Sequence, residues 1–127
     1  MVYMFLNGGG MRGGPAHHHI AGTPYLGEVT TAARYRFFAV GHEFPGLWPV
    51  GEGGRSIAGE LYDVPLEVLR DGLLPDEPAE LELGVIELAD GGPSLAMLLR
   101  RGEHDRRVHR DITAYRGWRA YLRSGEA

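Results

Sequence analysis

Between an apolar N-terminal segment and three consecutive histidines lies the stretch Asn7-Gly8-Gly9-Gly10-Met11-Arg12-Gly13-Gly14-Pro15. Five of its nine residues are glycine, and no regular helix or strand is sustained by that composition, because glycine loses the most backbone freedom on folding. Val2 to Leu6 before it is short and apolar, as a buried strand is. The glycine run therefore reads as a loop at a strand end. Such a loop either serves as a permissive turn or converges its N–H groups on one anionic or carbonyl oxygen. The second reading makes Asn7, Gly8, Gly9, Gly10 and Met11 a candidate substrate cradle.

The rest of the chain alternates short strand signals with turns. Tyr25 to Val29, Arg34 to Val40, Ser56 to Val64, Leu83 to Leu88 and Ser94 to Leu99 read as strands. The last two are joined as a hairpin across Asp90-Gly91-Gly92-Pro93. Phe44 to Val50 reads as an apolar loop turning at Pro45-Gly46, its Phe44, Leu47 and Trp48 either walling a pocket or capping a core. Ala16 to Ala21 forms a helical turn, and Pro65 opens a short helix with Leu66, Val68, Leu69 and Leu73 as its apolar positions. Arg110 to Leu122 is the clearest helix, with Ile112, Tyr115, Trp118, Arg119 and Leu122 near the helical period. Many short strands and few helices predict an α+β fold, a small mixed β-barrel with flanking short helices, as a single domain over residues 1–127.

Composition excludes several chemistries. The chain has no cysteine, which removes disulfides, thiolate metal sites and cysteine nucleophiles. All 13 basic residues are arginine, so Schiff-base lysines and a P-loop lysine are absent. A net charge of −4 argues against a nucleic-acid-binding surface. No apolar run reaches the roughly 20 residues of a membrane span, and the N-terminus lacks a secretory pattern. A cytoplasmic location is expected. Ser56, Ser94 and Ser124 sit in no nucleophile-elbow context.

Histidines and acids remain as proton carriers. His17, His18 and His19 cannot all face one metal from a helix or strand, so no metal is expected. Either one of them points inward as a base, or all three are exposed. Glu60, in a strand among apolar neighbours, is half-exposed or lines the barrel; a buried carboxylate has its pKa raised by desolvation. Asp76, Glu77, Glu80 and Glu82 cluster after the short helix, where one can reach a pocket.

The order of these motifs resembles a known family. A strand, a glycine loop and a Pro-x-x-His element are followed by Gly22-x-x-Tyr25-Leu26-Gly27, Arg34-Tyr35-Arg36-Phe37, Phe44-Pro45-Gly46 and Gly59-Glu60-Leu61-Tyr62. This resembles the γ-glutamylcyclotransferase-like (AIG2-like) fold, whose barrel carries a Tyr-Gly-Thr/Ser-Leu loop at a cavity mouth. Met11-Arg12-Gly13-Gly14-Pro15-Ala16-His17-His18-His19-Ile20 is more similar to the Gly-x-Pro-Leu-Asn-His-x-Leu run of the allophanate hydrolase C-terminal domain and its stand-alone relatives.

The resemblance implies cofactor-free breakdown of N-carboxycarbamate, or another carboxylated amide, toward carbon dioxide and ammonia. His18 falls on the family histidine, and Glu60 or Glu77 orients it or takes part itself. Asn7-Gly8-Gly9-Gly10 replaces the cyclotransferase loop, and Asp76 or Glu77 falls near the cyclotransferase glutamate. The alternatives are a non-catalytic metabolite-binding or amidase-docking module, and a γ-glutamylcyclotransferase proper. The expected partners are a small anionic metabolite, a separate amidase and a second copy of the chain, with neither nucleic acid nor membrane among them. The amidase signature is absent, and 127 residues are too few for an amidase domain.

Overall fold

A computed structural model describes residues 2–126. Eight strands form one mixed sheet: β1 (Val2–Leu6), β2 (Tyr25–Thr30), β3 (Tyr35–Val40), β4 (Phe44–Pro49), β5 (Ala58–Val64), β6 (Leu81–Glu87), β7 (Pro93–Leu99) and β8 (Arg110–Asp111). The order is β2-β5-β1-β7-β4-β3-β8, with β6 also paired to β7. The sheet curls into a half-barrel with a few short helices, so the expected barrel is present in open form. A bridge between Thr31 and Leu88 ties the end of β2 to the end of β6 and helps the curl.

The pairing of β7 creates the opening that matters. β6 runs antiparallel along all of β7, from Leu81↔Leu99 to Glu87↔Pro93. The other edge of β7 is divided between two parallel neighbours: β1 at Leu95 and Ala96, then β4 at Leu98. A strand edge shared by two partners forces them to diverge. The glycine loop leaves β1 at that divergence. Met4, Phe5 and Leu6 of β1 are buried in one apolar cluster with Phe37, Leu47, Tyr62, Val64 and Ala96, each such large side chain contributing roughly 1.5–3 kcal/mol on burial. The loop is thus rooted in the best-packed part of the molecule.

Two elements differ from their sequence reading. Phe44–Pro49 is a strand rather than an apolar loop. It pairs with β3 from Tyr35↔Pro49 to Val40↔Phe44. The space over Gly46 is filled by Leu99 and Leu81, so no side chain fits there. Turn chemistry at Pro45-Gly46 was outweighed by this packing.

Arg110 to Leu122 is not one helix. Arg110–Asp111 forms β8 against β3. Asp111 Oδ1 accepts the Thr113 N–H at 2.9 Å, and Asp111 Oδ2 accepts Arg36 Nη2 at 2.8 Å. Thr113 Oγ1 accepts the Phe37 N–H at 2.8 Å. These local bonds compete with a helix, and Arg116 at φ 62° breaks the chain direction. Within this stretch only the part in α2 (Trp118–Arg123) is α-helical. Ile112, Trp118 and Tyr121 are nonetheless buried, because the 3-10 turn at Thr113–Tyr115 keeps their side chains inward. After Pro65, α1 begins with Leu66–Val68 and widens over Leu69–Leu73, burying Leu69 and Leu73. Among the described residues, no helix is long and apolar enough to cross a membrane.

Candidate functional site

A cavity of about 40 Å³ lies where β1 and β4 diverge. Asn7, Gly8, Gly9 and Gly10 of the loop, Phe44 and Pro45 of β4, and Glu77 all line it. Four of the five residues expected to form a cradle thus line this cavity, and Met11 does not. Among the described residues, the N–H groups of Gly8, Gly9 and Gly10 have no backbone acceptor. Buried Asn7 adds an Nδ2 that has no partner either. Met11 departs from expectation: its N–H donates to the Gly8 carbonyl at 3.1 Å and its side chain is buried in the core. It shapes the loop rather than supplying a free donor.

Glycine is required here for space as much as for backbone freedom. A Cβ on Gly8 would lie 2.6 Å from Cδ of Pro45, and one on Gly14 would collide with the Gly9 carbonyl. The loop folds back on itself, with the Ala16 N–H donating to that same Gly9 oxygen at 2.9 Å. His17 is half-buried, with Nδ1 3.0 Å from the Gly10 carbonyl oxygen, so the first histidine anchors the loop.

Glu77 is half-buried at the end of a 3-10 turn, Leu74–Asp76, set between Pro75 and Pro78. Burial pushes its carboxyl up to about 7; the neighbouring Asp76 charge adds to the rise and His19 opposes it. A carboxyl in that range can both give and take a proton at neutral pH.

Glu60 is the opposite case. Its side chain is completely buried on β5, which fits the barrel-lining reading. Desolvation acts to raise its pKa, but hydrogen bonds outweigh it and hold the carboxyl below its ordinary range. Oε1 accepts the Arg12 N–H at 2.8 Å and the Tyr62 hydroxyl at 3.0 Å. Oε2 accepts Arg12 Nε and Arg119 Nη2, both at 3.2 Å. The expected upward shift is thus reversed, and Glu60 is an ionised tie between the loop, β5 and α2.

His18 lies apart from the glycine cavity. It is exposed, with its ring centroid 4.0 Å from that of His19. His19 Nε2 sits 2.6 Å from Asp76 Oδ2. Ligand atoms of His18, His19 and Asp76 all fall within 4.8 Å of one another. Two ligands on one tetrahedral zinc are held about 3.3 Å apart, so the short His19–Asp76 contact is that of a hydrogen-bonded pair.

Sequence reasoning missed Arg12 and Arg119 as site residues. Arg119 also donates to the Arg12 carbonyl at 2.7 Å. A signal was present: Arg119 stood alone as a charge on the otherwise apolar stripe assigned to the last helix.

Comparison with known proteins bears on the family and the fold. The family model of the allophanate hydrolase C-terminal domain matches residues 2–123. A uropathogenic E. coli-specific protein of known structure is 33% identical, with a TM-score of 0.87 over 95% of this chain and 94% of that one. Kluyveromyces lactis allophanate hydrolase is 26% identical, with a TM-score of 0.87 over 97% of this chain but only 21% of the larger enzyme. An AIG2-like protein from Mus musculus, 21% identical with a TM-score of 0.60 over 85% of this chain and 82% of its own, shares the fold. No curated protein matches significantly. With the matching family model running through all eight strands and the glycine loop, the chain belongs to the allophanate hydrolase C-terminal domain family.

Proposed function

We propose that this chain is a small acid–base enzyme for carboxylated amides or carbamates, working at the cavity between the glycine loop and Glu77. The observation that carries the reading is Glu77: a carboxyl pushed up to about 7 opens onto the cavity that the free N–H groups border. The free N–H groups of Gly8 to Gly10 and the Asn7 amide hold a substrate carboxylate or developing negative charge, which is usually the largest catalytic contribution. Glu77 delivers the proton.

For N-carboxycarbamate the chemistry balances without water. Protonation of the bridging nitrogen accompanies C–N cleavage, releasing carbon dioxide and leaving carbamate. A second proton on that nitrogen releases ammonia and a second carbon dioxide. Glu77 gives one proton per step and recovers it from solvent, and a pKa near ambient pH suits both halves of that cycle. The proton role that the resemblance gave to His18 moves to Glu77 in this reading.

A second reading is a non-catalytic metabolite-binding or amidase-docking module, favoured by the exposure of His18 outside the cavity wall. One experiment separates them. A separate amidase generates N-carboxycarbamate from allophanate, and ammonia and carbon dioxide are followed with and without this protein. Faster release, reduced about 10²-fold or more in Glu77→Gln, supports the enzyme. Release unaffected by the protein leaves the module.

A further inference from the structure

A second, larger cleft of about 340 Å³ uses Gly8 and Gly9 as part of its own wall. Its floor is apolar, from Trp118 and Leu122 of α2, and its polar side is built by Arg12 and Arg119. These two guanidinium groups share one buried carboxylate, that of Glu60. One negative charge between two positive ones leaves the Arg12–Glu60–Arg119 group with a unit of positive charge, which Glu43 offsets from the cleft rim. Both arms are also fixed in advance. Arg12 lies 4.1 Å over the Tyr25 ring and donates to the Tyr25 hydroxyl at 3.0 Å. Arg119 is pinned to Glu60 and to the Arg12 carbonyl. Among the described residues, Nη1 of Arg12 and both Nε and Nη1 of Arg119 have no acceptor. Exposed Glu43 is the acid on the cleft rim.

We propose that this cleft binds the carboxylate of a small ureido or amido acid, with its N–H groups turned to Glu43. Free guanidinium donors on two neighbouring arginines suit a carboxylate through charge-assisted bonds, one from each arginine, and donors held before the ligand arrives lose little entropy on binding. Glu43 disfavours a simple carboxylate and favours one that carries N–H donors. The substrate class rests on the reading of the Glu77 cavity, whose wall at Gly8 and Gly9 the cleft shares; ligand binding itself does not require turnover.

N-carbamoylglycine, a stable ureido acid, is the probe, and its uncharged primary amide is the control. In wild-type protein, NMR titration should move the side-chain Nε–H signals of Arg12 and Arg119 saturably with the acid and not with the amide. Arg119→Gln should weaken binding at least about tenfold, the loss of one charge-assisted bond. Glu43→Gln should weaken N-carbamoylglycine binding several-fold and strengthen acetate binding. Unmoved arginine signals, or equal binding of acid and amide, would overturn the proposal, and the wild-type titration decides even if Arg119→Gln does not fold. Glu77→Gln keeps the two ideas apart. Unimpaired turnover with intact arginine-dependent binding sinks the Glu77 reading alone. Impaired turnover with unmoved arginine signals sinks the cleft alone.

Discussion

Glu60 is bonded to the glycine loop and Glu77 lines a cavity with it, and their surroundings set the two carboxyls at opposite ends of the range. Glu60 is sealed from solvent yet held ionised, while Glu77 is only half-buried yet pushed up to about 7. Burial alone would have ranked them the other way. The difference is the supply of donors: four N–H or O–H groups reach the Glu60 carboxylate, and among the described residues none reaches Glu77. A carboxylate that gives the loop its shape must remain charged, and a carboxyl that moves protons must not be committed to donors. The loop is tied to a fixed charge at Glu60 and shares its cavity with an exchangeable proton at Glu77.

The harshest way to break this comparison is Glu60→Ala. It removes the acceptor of the Arg12 N–H and the Tyr62 hydroxyl and leaves two guanidinium groups unbalanced. Destabilisation of about 3 kcal/mol is expected, discounted for the partial exposure of both arginines, and chemical denaturation measures it. Glu60→Gln, which keeps one oxygen acceptor, should lose less. A loss no larger than that of Glu67→Ala on the exposed face of α1 would show that the tie contributes nothing.

Stability against pH sharpens the same contrast through its sign. Glu60 has a depressed folded pKa, so its contribution is present above its ordinary 4.5 and is lost as pH falls below it. Glu77 has a raised folded pKa, so the native state binds the extra proton and stability declines from 4.5 up through about 7. Glu77→Gln should abolish that decline and be more stable than wild type at pH 8 by on the order of 1–2 kcal/mol, after allowance for partial exposure. Parallel wild-type and Glu77→Gln curves between those limits would mean that Glu77 titrates as an ordinary surface acid.

Much of this was legible in the sequence, and the reasons are local. β1, the glycine break and the β6–β7 hairpin follow from apolar runs bounded by Gly, Asp and Pro. Asn7, Gly8, Gly9 and Gly10, read as a cradle, and Glu77, read as catalytic with His18 and Glu60, line one cavity that includes neither His18, Glu60 nor Met11. What failed depended on distant partners. β4 forms because β3 and β7 flank it, which no turn propensity reveals. The helix expected from Arg110 dissolves because Asp111 and Thr113 bond to Arg36 and Phe37 of β3. The charge state of Glu60 was misread because its donors, Arg12 and Arg119, come from opposite ends of the chain.

A milder change tests what sets the Glu77 proton. The neighbouring Asp76 charge adds to the effect of burial there, so Asp76→Asn should lower the Glu77 titration midpoint by less than about one pH unit. NMR titration of the Glu77 carboxyl carbon reads it directly. An unchanged midpoint would assign the whole shift to burial.

The smallest effect is expected at His18, the residue that the family likeness would make catalytic. Its ring is exposed, lies outside the lining of the glycine cavity and packs against His19, whose Nε2 is already paired with Asp76. Removing an exposed ring usually changes stability by less than about 0.5 kcal/mol. His18→Ala should likewise leave product release within about threefold of wild type, since a positioned acid or base is worth ~10²–10⁴-fold and His18 holds no such position. Stopped-assay ammonia release from amidase-generated N-carboxycarbamate measures it beside Glu77→Gln. A collapse of turnover in His18→Ala with Glu77→Gln unimpaired would invert the comparison. The proton would then travel along the His18–His19–Asp76 edge, and the shifted Glu77 would be a consequence of packing rather than the working acid.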